Sequence, residues 1–366
     1  MKIVFEGFYG FKNAGDDAFV EVSSWGAKRY WNCKNSTFLG ASLPKTIHEI
    51  NNKQIFSKIK GFDRVNLVSH LTNSDYLISS GGSTFSEIPI HSNKSLARHF
   101  KKINKRLKLG AIGVSIGPFI NSRAEHDVVD YLQSLDFLSV RDNRSYRYVQ
   151  SLNLPYNPIN AFDLAALLPS VYKHDFKQTV CINQHPTIGI SICNYESYKG
   201  GDILKEKNRN TFFKEVIDLI TKQTNAHFKV FIINGNEKFG DHDATYRLIK
   251  DIDNSRVTIV PYLNDVQETW NEINTCSLMI STRLHASIFA CYAQIPFFLI
   301  EYHEKCSDFL TDVGQDESYR VYDAQVSPNS VVQKVCEILN GSYVKPKFIK
   351  KTIALSEKNF TSHKIS

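Results

Sequence analysis

The stretch Cys276–Phe309 reads CSLMISTRLHASIFACYAQIPFFLIEYHEKCSDF, and it predicts a βαβ unit. The apolar run Cys276–Ser281 fits a buried strand, and the small apolar residues of Ala286–Ala293 fit a helix packed on a sheet. After Pro296 the apolar pattern resumes, and Phe297–Ile300 fits a second buried strand. Ligands of such units bind beyond the carboxyl ends of the strands. That edge of the sheet is therefore the expected place of a functional site.

Cationic and protonatable side chains follow both predicted strands. Arg283 and His285 come directly after the first strand, and Lys305 follows the second. Together with the backbone N–H groups of a helix start, these side chains suit a phosphate or a carboxylate. For an arbitrary Arg-x-His pair, a histidine satisfied in the core is the more common case, so the residues around the pair decide its interpretation.

The same stretch resembles the C-terminal signature of the polysaccharide pyruvyl transferase family. The resemblance rests on Ser-Thr-Arg-Leu-His-Ala at 281–286, the strand that follows Pro296, and Tyr-x-x-Lys at 302–305. It extends from Gly7 to about Phe309 through shorter matches at 7–10, 13–17, 81–82, 116–118, 139–142 and 161–163. Enzymes of this family transfer the enolpyruvyl carbons of phosphoenolpyruvate to a sugar as a ketal, and they resemble GT-B glycosyltransferases in fold.

Strands and helices alternate along the chain, which predicts an α/β protein with parallel sheets. The resemblance implies two Rossmann-like domains of GT-B type with a cleft between them. We expect an N-terminal domain at 1–175 on the acceptor side and a C-terminal domain at 176–343 on the donor side, joined by a linker within Val171–Pro186. The basic segment 344–366 is expected to be a solvated tail, or to return to the first domain as in GT-B folds.

The resemblance also implies which residues hold the donor. Arg283 and Lys305 would bind the phosphate or carboxylate of phosphoenolpyruvate, with Leu284 and Ser281 beside them. His285 is the leading candidate for acid/base catalysis because its unperturbed pKa lies near neutrality. His285, Arg283 and Asp16 form the predicted catalytic set.

The predicted acceptor-binding residues lie in the N-terminal half. These residues, which follow two predicted strands, are Asn13, Gly15, Asp17, Gly82 and Ser83. The alternative interpretation is that both segments are only tight turns, the first with an aspartate cap. Secondary candidates are Arg141, Asn194 and Glu301, although Arg141 next to an aspartate is more often an ion pair or a cap. Near Asn194 the family often has an arginine, and its absence puts the donor in doubt.

Composition excludes several classes of function. The 7 cysteines are scattered without a CxxC pair, which indicates a reducing compartment and no metal site. No apolar run is long enough to span a bilayer. The net charge of +7 favours acidic partners, but no nucleic-acid signature accompanies it. We therefore expect a cytoplasmic protein that binds no nucleic acid.

The segment Asn93–Lys108 predicts an amphipathic helix with a strongly basic face. A solvated face is the ordinary interpretation. Contact with anionic lipid or with a lipid-linked acceptor is the alternative, and it would place the protein at the inner face of the membrane, with help from the basic tail.

Three functions remain open from the sequence. The first is a pyruvyl transferase that modifies a capsule or exopolysaccharide, or its lipid-linked precursor, with phosphoenolpyruvate as co-substrate and no other cofactor. The second is a GT-B glycosyltransferase that uses a nucleotide sugar, in which Glu301 would hold a ribose. The third is a carbohydrate- or lipid-binding protein without catalysis, which Arg283, His285 and Lys305 argue against.

Overall fold

The structure is a computed structural model, and it describes residues 1–52, 62–174 and 185–365. The chain forms two compact units. Unit 1 comprises 1–10, 16–171 and 350–366, and unit 2 comprises 11–15 and 172–349. The division after residue 171 lies near the predicted boundary at 175. Most of the predicted linker, at 175–184, lies outside the described residues, as does Cys181.

Unit 1 is built on a parallel sheet. Its strands are β1 (Ile3–Glu6), β2 (Thr37–Phe38), β3 (Tyr76–Ser80), β4 (Lys108–Val114), β5 (Phe137–Val140) and β6 (Ile159–Asn160). They pair in the order β2-β1-β3-β4-β5-β6, so the strand order reverses between β1 and β3. The apolar strands are buried on both faces, as parallel sheets require.

Helices cover this sheet. They are α1 (Ala14–Trp31), α2 (Phe62–Thr72), α3 (Asn93–Ile103), α4 (Ser122–Ser134), α5 (Asn143–Gln150) and α6 (Leu168–Val171). Polar side chains cap three of them: Ser92 accepts a hydrogen bond from the backbone N–H of Ser95, Asn121 caps α4 and Asp142 caps α5. Helix α3 begins at the predicted residue but ends five residues early, and β4 follows it.

Lys94 departs from the predicted basic face of α3. Its ammonium lies 2.9 Å from the carboxylate of Glu6, and both side chains are buried. It also lies 5.1 Å from the ring centroid of Phe85. Lys94 therefore belongs to the interior of unit 1, because α3 turns this position towards the sheet.

Unit 2 has a second parallel sheet. Its strands are β7 (Thr187–Ser191), β8 (His227–Phe231), β9 (Val257–Val260), β10 (Leu278–Ser281) and β11 (Phe297–Leu299). They pair in the order β11-β10-β7-β8-β9. The strand order therefore reverses between β7 and β10: strands are added on one side of β7 up to β9 and on the other side from β10. Such switch points open a crevice at the carboxyl ends of the strands.

The helices of unit 2 lie between and after these strands. They are α7 (Tyr195–Lys199), α8 (Ile203–Gln223), α9 (His242–Ile249), α10 (Val266–Asn274), α11 (Leu284–Tyr292), α12 (Glu304–Val313) and α13 (Pro328–Leu339). Buried aliphatic and aromatic side chains from β7, α8 and α13 form one core. The two units confirm the prediction of two Rossmann-like α/β domains with parallel sheets.

The C-terminal segment is not a solvated tail. Helix α14 (Ile349–Thr361) follows, and from Lys350 the chain belongs to unit 1. The side chain of Asn359 accepts a hydrogen bond from the N–H of Gly113 and donates one to the carbonyl of Phe162. Phe360 is buried and its carbonyl accepts from the indole of Trp31. Of the two alternatives, the return to the first domain is the one observed.

His363, just beyond α14, gives unit 1 a predicted sensitivity to acid. Its Nε2 lies 2.5 Å from Oγ of Ser139, its ring packs 4.4 Å from the ring of Phe137, and burial lowers its pKa to about 4. The unfolded chain binds this proton first, so stability is lost as the pH falls from about 6.5 towards 4.

We expect this loss to reach about 2 kcal/mol, after allowance for the solvent that still reaches the ring. Urea unfolding of unit 1 at pH 7 and pH 4.5 would measure it in the wild type and in His363→Gln, which does not titrate. The variant should lose clearly less stability on acidification. Equal losses in both proteins would contradict the assignment to His363.

Within the described ranges, no helix combines the length and the apolar character that a membrane span needs.

Candidate functional site

The ends of β7 and β10 are joined at the switch point of unit 2. The backbone N–H of Thr282 donates to the carbonyl of Ser191 at 2.8 Å, and its Oγ1 accepts from the N–H of Cys193 at 2.8 Å. Thr282 is fully buried. These bonds fix the start of α11, and with it the position of Arg283.

Arg283 is held by a buried carboxylate. Its Nε donates to both carboxylate oxygens of Asp241, at 2.9 and 3.1 Å, and its Nη2 donates to Oδ1. Asp241 has no exposed surface and also accepts from the N–H of Asn234 at 2.8 Å. Burial alone would lower the pKa of Arg283, but Asp241 raises it above its ordinary value. The guanidinium is therefore charged and fixed in orientation.

One edge of this guanidinium remains available. Asp241 occupies Nε and one hydrogen of Nη2, and no described residue accepts a hydrogen bond from Nη1, so the edge formed by Nη1 and the other Nη2 hydrogen is free. About a fifth of the side chain is exposed, 22%. A planar, charged fork with one free edge at a switch point is suited to a carboxylate or phosphate oxygen.

His285 lies in the first turn of α11, two residues after Arg283. Gly15 lies directly against its ring: a Cβ built on Gly15 would be 2.7 Å from Cε1 and closer still to Nδ1 and Cγ. The ring of Phe289 borders it at 6.4 Å between centroids. The histidine is therefore placed by packing, and only a residue without a side chain fits at position 15.

The loop at 11–15 belongs to unit 2, although the sequence indicated the first domain. Asn13 pairs with Asn234, the N–H of Ala14 donates to Ile233, and the N–H of Gly235 donates to Lys12. These backbone bonds attach the loop to the end of β8. Of the predicted acceptor-binding residues, Asn13 and Gly15 thus lie near His285, whereas Asp17 lies in unit 1.

Lys305 lies among aromatic rings after β11. Its ammonium is 4.9 Å from the centroid of Tyr195 and 5.5 Å from that of Tyr302, whose own rings are 5.0 Å apart. Burial raises the pKa of Tyr302 well above its ordinary value, so this phenol stays neutral. The predicted donor residues Ser281 and Leu284 are both buried, and Ser281 Oγ donates to the carbonyl of Arg283.

Arg209 contacts this aromatic group, and sequence reasoning missed it. Its side chain is 1% exposed, and its guanidinium donates to both oxygens of Glu196 at 2.9 and 2.6 Å and to Asp323 at 2.5 Å. It also lies 4.9 Å from the ring centroid of Tyr302. Arg209 therefore links the segment after β7 to the segment after β11.

The two secondary candidates of unit 2 have structural partners. Glu301 accepts from Nε of Arg320 at 2.7 Å and from Ser307 at 2.6 Å. Asn194 accepts from the amide of Asn210 at 2.9 Å. The carboxylate predicted to hold a ribose is thus engaged within unit 2.

The unit 1 candidates gather at the carboxyl edge of its own sheet. Arg141 is buried and donates to Asp163 at 2.8 Å, to Ser115 at 2.6 Å and to the predicted residue Ser83 at 3.1 Å. Gly82 has a positive φ of 78° and lies next to a carboxylate oxygen of Asp16. Arg141 therefore orders this edge through an ion pair, which was the ordinary interpretation of Arg-Asp.

No group of three or more histidine, cysteine or carboxylate side chains suited to a metal occurs in the part of the chain that the structure describes.

Asp241 is the site residue that the sequence indicated least. It stands immediately before helix α9, where aspartate is ordinarily a cap. In the structure its side chain makes no cap hydrogen bond and turns to Arg283 instead. The one signal in the sequence is that Asp241 follows β8, a strand of the sheet that also contains β10. The carboxyl ends of parallel strands meet at one edge of a sheet, so residues after β8 and β10 can lie close together.

Solved structures share this architecture. A putative UDP-N-acetylglucosamine 2-epimerase from Listeria monocytogenes superposes with a TM-score of 0.62 at 10% identity, covering 100% of this chain and 98% of its own. The S. aureus MnaA–UDP co-structure gives 0.59 at 12%, with 99% and 92% covered. UDP-GlcNAc 2-epimerase from Neisseria meningitidis gives 0.57 at 11%, with 99% and 96% covered. At such low identity these similarities show a GT-B fold and nothing about substrate.

The sequence comparison is more specific. Curated protein sequences gave no match. A family model described as "Polysaccharide pyruvyl transferase" matches residues 9–304, which include Asn13, Gly15, Asp241, Arg283 and His285. The match spans well over half of the chain, and the family is one of transferase enzymes. The chain therefore belongs to the polysaccharide pyruvyl transferase family.

Proposed function

We propose that the protein transfers the enolpyruvyl group of phosphoenolpyruvate to a sugar of a cell-surface polysaccharide or its lipid-linked precursor. The observation that supports this most is Arg283, whose guanidinium is charged, fixed by buried Asp241 and free along one edge. A small dianionic donor needs such a cation, and bidentate geometry suits both its carboxylate and its phosphate. Lys305 is the second predicted cation for the donor.

His285 is the proposed acid/base residue. In the proposed reaction the methylene carbon of phosphoenolpyruvate accepts a proton, two sugar hydroxyl oxygens bond to C2, and phosphate leaves. The two sugar hydroxyls lose two protons in total. One proton is gained by the methylene carbon, which becomes a methyl group, and the other leaves on the phosphate. A group that exchanges protons near neutrality is needed for these steps, and histidine is the side chain whose unperturbed pKa lies in that range. Asp16, Asp17, Gly82 and Ser83 remain the predicted residues of unit 1 for catalysis and the sugar.

The donor is tested by binding, which requires no knowledge of the acceptor. We expect phosphoenolpyruvate to bind the wild type in a calorimetric titration, and Arg283→Ala to lower the affinity by about 100-fold, since a charge-assisted bidentate contact is lost. Arg283→Lys keeps the charge without the fork and should recover only part of this loss. Full binding by Arg283→Ala would refute the assignment.

A panel of UDP-, GDP- and CMP-sugars in the same titration tests the glycosyltransferase alternative. The engagement of Glu301 with Arg320 speaks against that alternative, because its carboxylate is not available to a ribose. Tight binding of a nucleotide sugar, with none of phosphoenolpyruvate, would replace the proposed function. We propose no further cofactor, a saccharide acceptor that is lipid-linked when it is modified, and action at the cytoplasmic face of the membrane.

A further inference from the structure

The end of helix α3 presents an isoleucine to solvent among cations. Ile103 is 84% exposed, the most of any large apolar side chain in the described chain. Lys102, Lys105 and Arg106 surround it in sequence and are also exposed. We call these four residues the α3 patch. Ile103 is the last residue of α3, and its side chain does not pack into the core of unit 1.

A groove of about 560 Å³ opens beside the α3 patch. It is lined by cations of α3 and by the end of α4: Arg98, Lys101, Lys102, Lys105, Asp130, Gln133, Ser134, Leu135 and Pro155. Four of its nine lining residues are cations, so it suits an anionic group. The groove and the exposed isoleucine thus lie side by side on unit 1.

The cations of this surface fall into two classes. Arg98 lies 3.6 Å from Asp130, and Lys101 lies 2.6 Å from Asp136, so both have carboxylate partners. By contrast, Lys102, Lys105 and Arg106 have no ion-pair partner among the described residues. A favourable interaction with the helix dipole accounts for cations in the last turn, but it does not account for Ile103.

We propose that the α3 patch and its groove form a docking surface for an anionic phospholipid membrane. The groove accepts a lipid phosphate, the three unpaired cations lie at the headgroup level, and Ile103 inserts among the acyl chains. Charge attraction combined with a shallow apolar insertion is the usual basis of reversible attachment at the interface. This inference names the surface through which the proposed action at the membrane would occur, and it does not depend on the identity of the donor.

Vesicle flotation of the full chain tests the docking surface. We expect binding to vesicles of phosphatidylcholine with about one third phosphatidylglycerol, and none to phosphatidylcholine alone. Because each cation near such a surface contributes about fivefold, the triple variant Lys102→Glu, Lys105→Glu, Arg106→Glu should bind at least about 100-fold more weakly. Ile103→Ser should weaken binding about tenfold, since one aliphatic side chain no longer enters the membrane.

The matched control reverses three exposed lysines of unit 2, in Lys207→Glu, Lys222→Glu, Lys250→Glu, with the same change in net charge. This control should float like the wild type. Equal losses in both triple variants would overturn the proposal in favour of non-specific charge attraction. The proposal would also be overturned if Ile103→Ser bound the vesicles as the wild type does and soluble glycerol phosphate abolished vesicle binding. That result would indicate a free phosphate ligand. Unchanged thermal melting verifies that each variant is folded, and failure of phosphoenolpyruvate binding would leave this result intact.

Discussion

Replacing Gly15 with alanine is expected to lower the transfer activity by about 100-fold or more, in the range of lost acid/base catalysis. The added Cβ would overlap the ring of His285, including Cγ at the base of the ring, so a small shift of the ring tip does not relieve it. The imidazole has to rotate away from its place on α11. Steady-state release of phosphate from phosphoenolpyruvate and a sugar acceptor would measure the effect.

A double-mutant cycle separates this effect from a general loss of folding. In the background of His285→Ala the clash is absent, so Gly15→Ala should cost no further activity and little thermal stability. If Gly15→Ala were as harmful without the histidine as with it, the glycine would have a role of its own. The binding of phosphoenolpyruvate should change little, since hydrogen bonds to Asp241 hold Arg283 in place.

Removing the carboxylate of Asp241 is the second change with a large expected effect. Asp241→Ala leaves the guanidinium of Arg283 and the N–H of Asn234 without their buried acceptor. Loss of one partner of a buried ion pair costs about 3–5 kcal/mol, so we expect unit 2 to be destabilised by about that amount. Urea unfolding followed by far-UV circular dichroism would report it as a transition at lower urea concentration.

Asp241→Asn distinguishes orientation from charge. Asparagine retains one acceptor oxygen of similar shape but not the negative charge, so it holds the fork of Arg283 less firmly. We expect phosphoenolpyruvate to bind about tenfold more weakly, because orientation matters more than the small gain in net positive charge. Tighter binding than in the wild type would contradict this and show that the main effect of Asp241 is to reduce the attraction of Arg283 for an anion.

Local pattern was sufficient to predict the fold. The two strands on either side of α11 lie within the predicted apolar runs Cys276–Ser281 and Phe297–Ile300. This succeeded because buried parallel strands are short apolar runs followed by polar turns. The polar cluster at Ser281–His285 follows β10 for the same reason, and the topology places it at the switch point.

Partners distant in sequence could not be predicted. Asp241 and Arg283 are 42 residues apart, Arg209 and Asp323 are 114 apart, and nothing local relates them. Lys94 appeared to be one more cation of a basic face, because only the packed helix reveals that it turns inwards to Glu6. The loop at 11–15 was assigned to the wrong domain, since chain order does not show that a segment crosses between units.

Helix α14 has a consequence for how the chain reaches its native state on the ribosome. Its residues complete the interior of unit 1, where Asn359 satisfies the backbone of Gly113 and Phe360 covers Trp31. They are translated after the whole of unit 2. The unit that contains the first strand is therefore the last to be finished, and the nascent chain has to hold an incomplete interior until translation has passed residue 360.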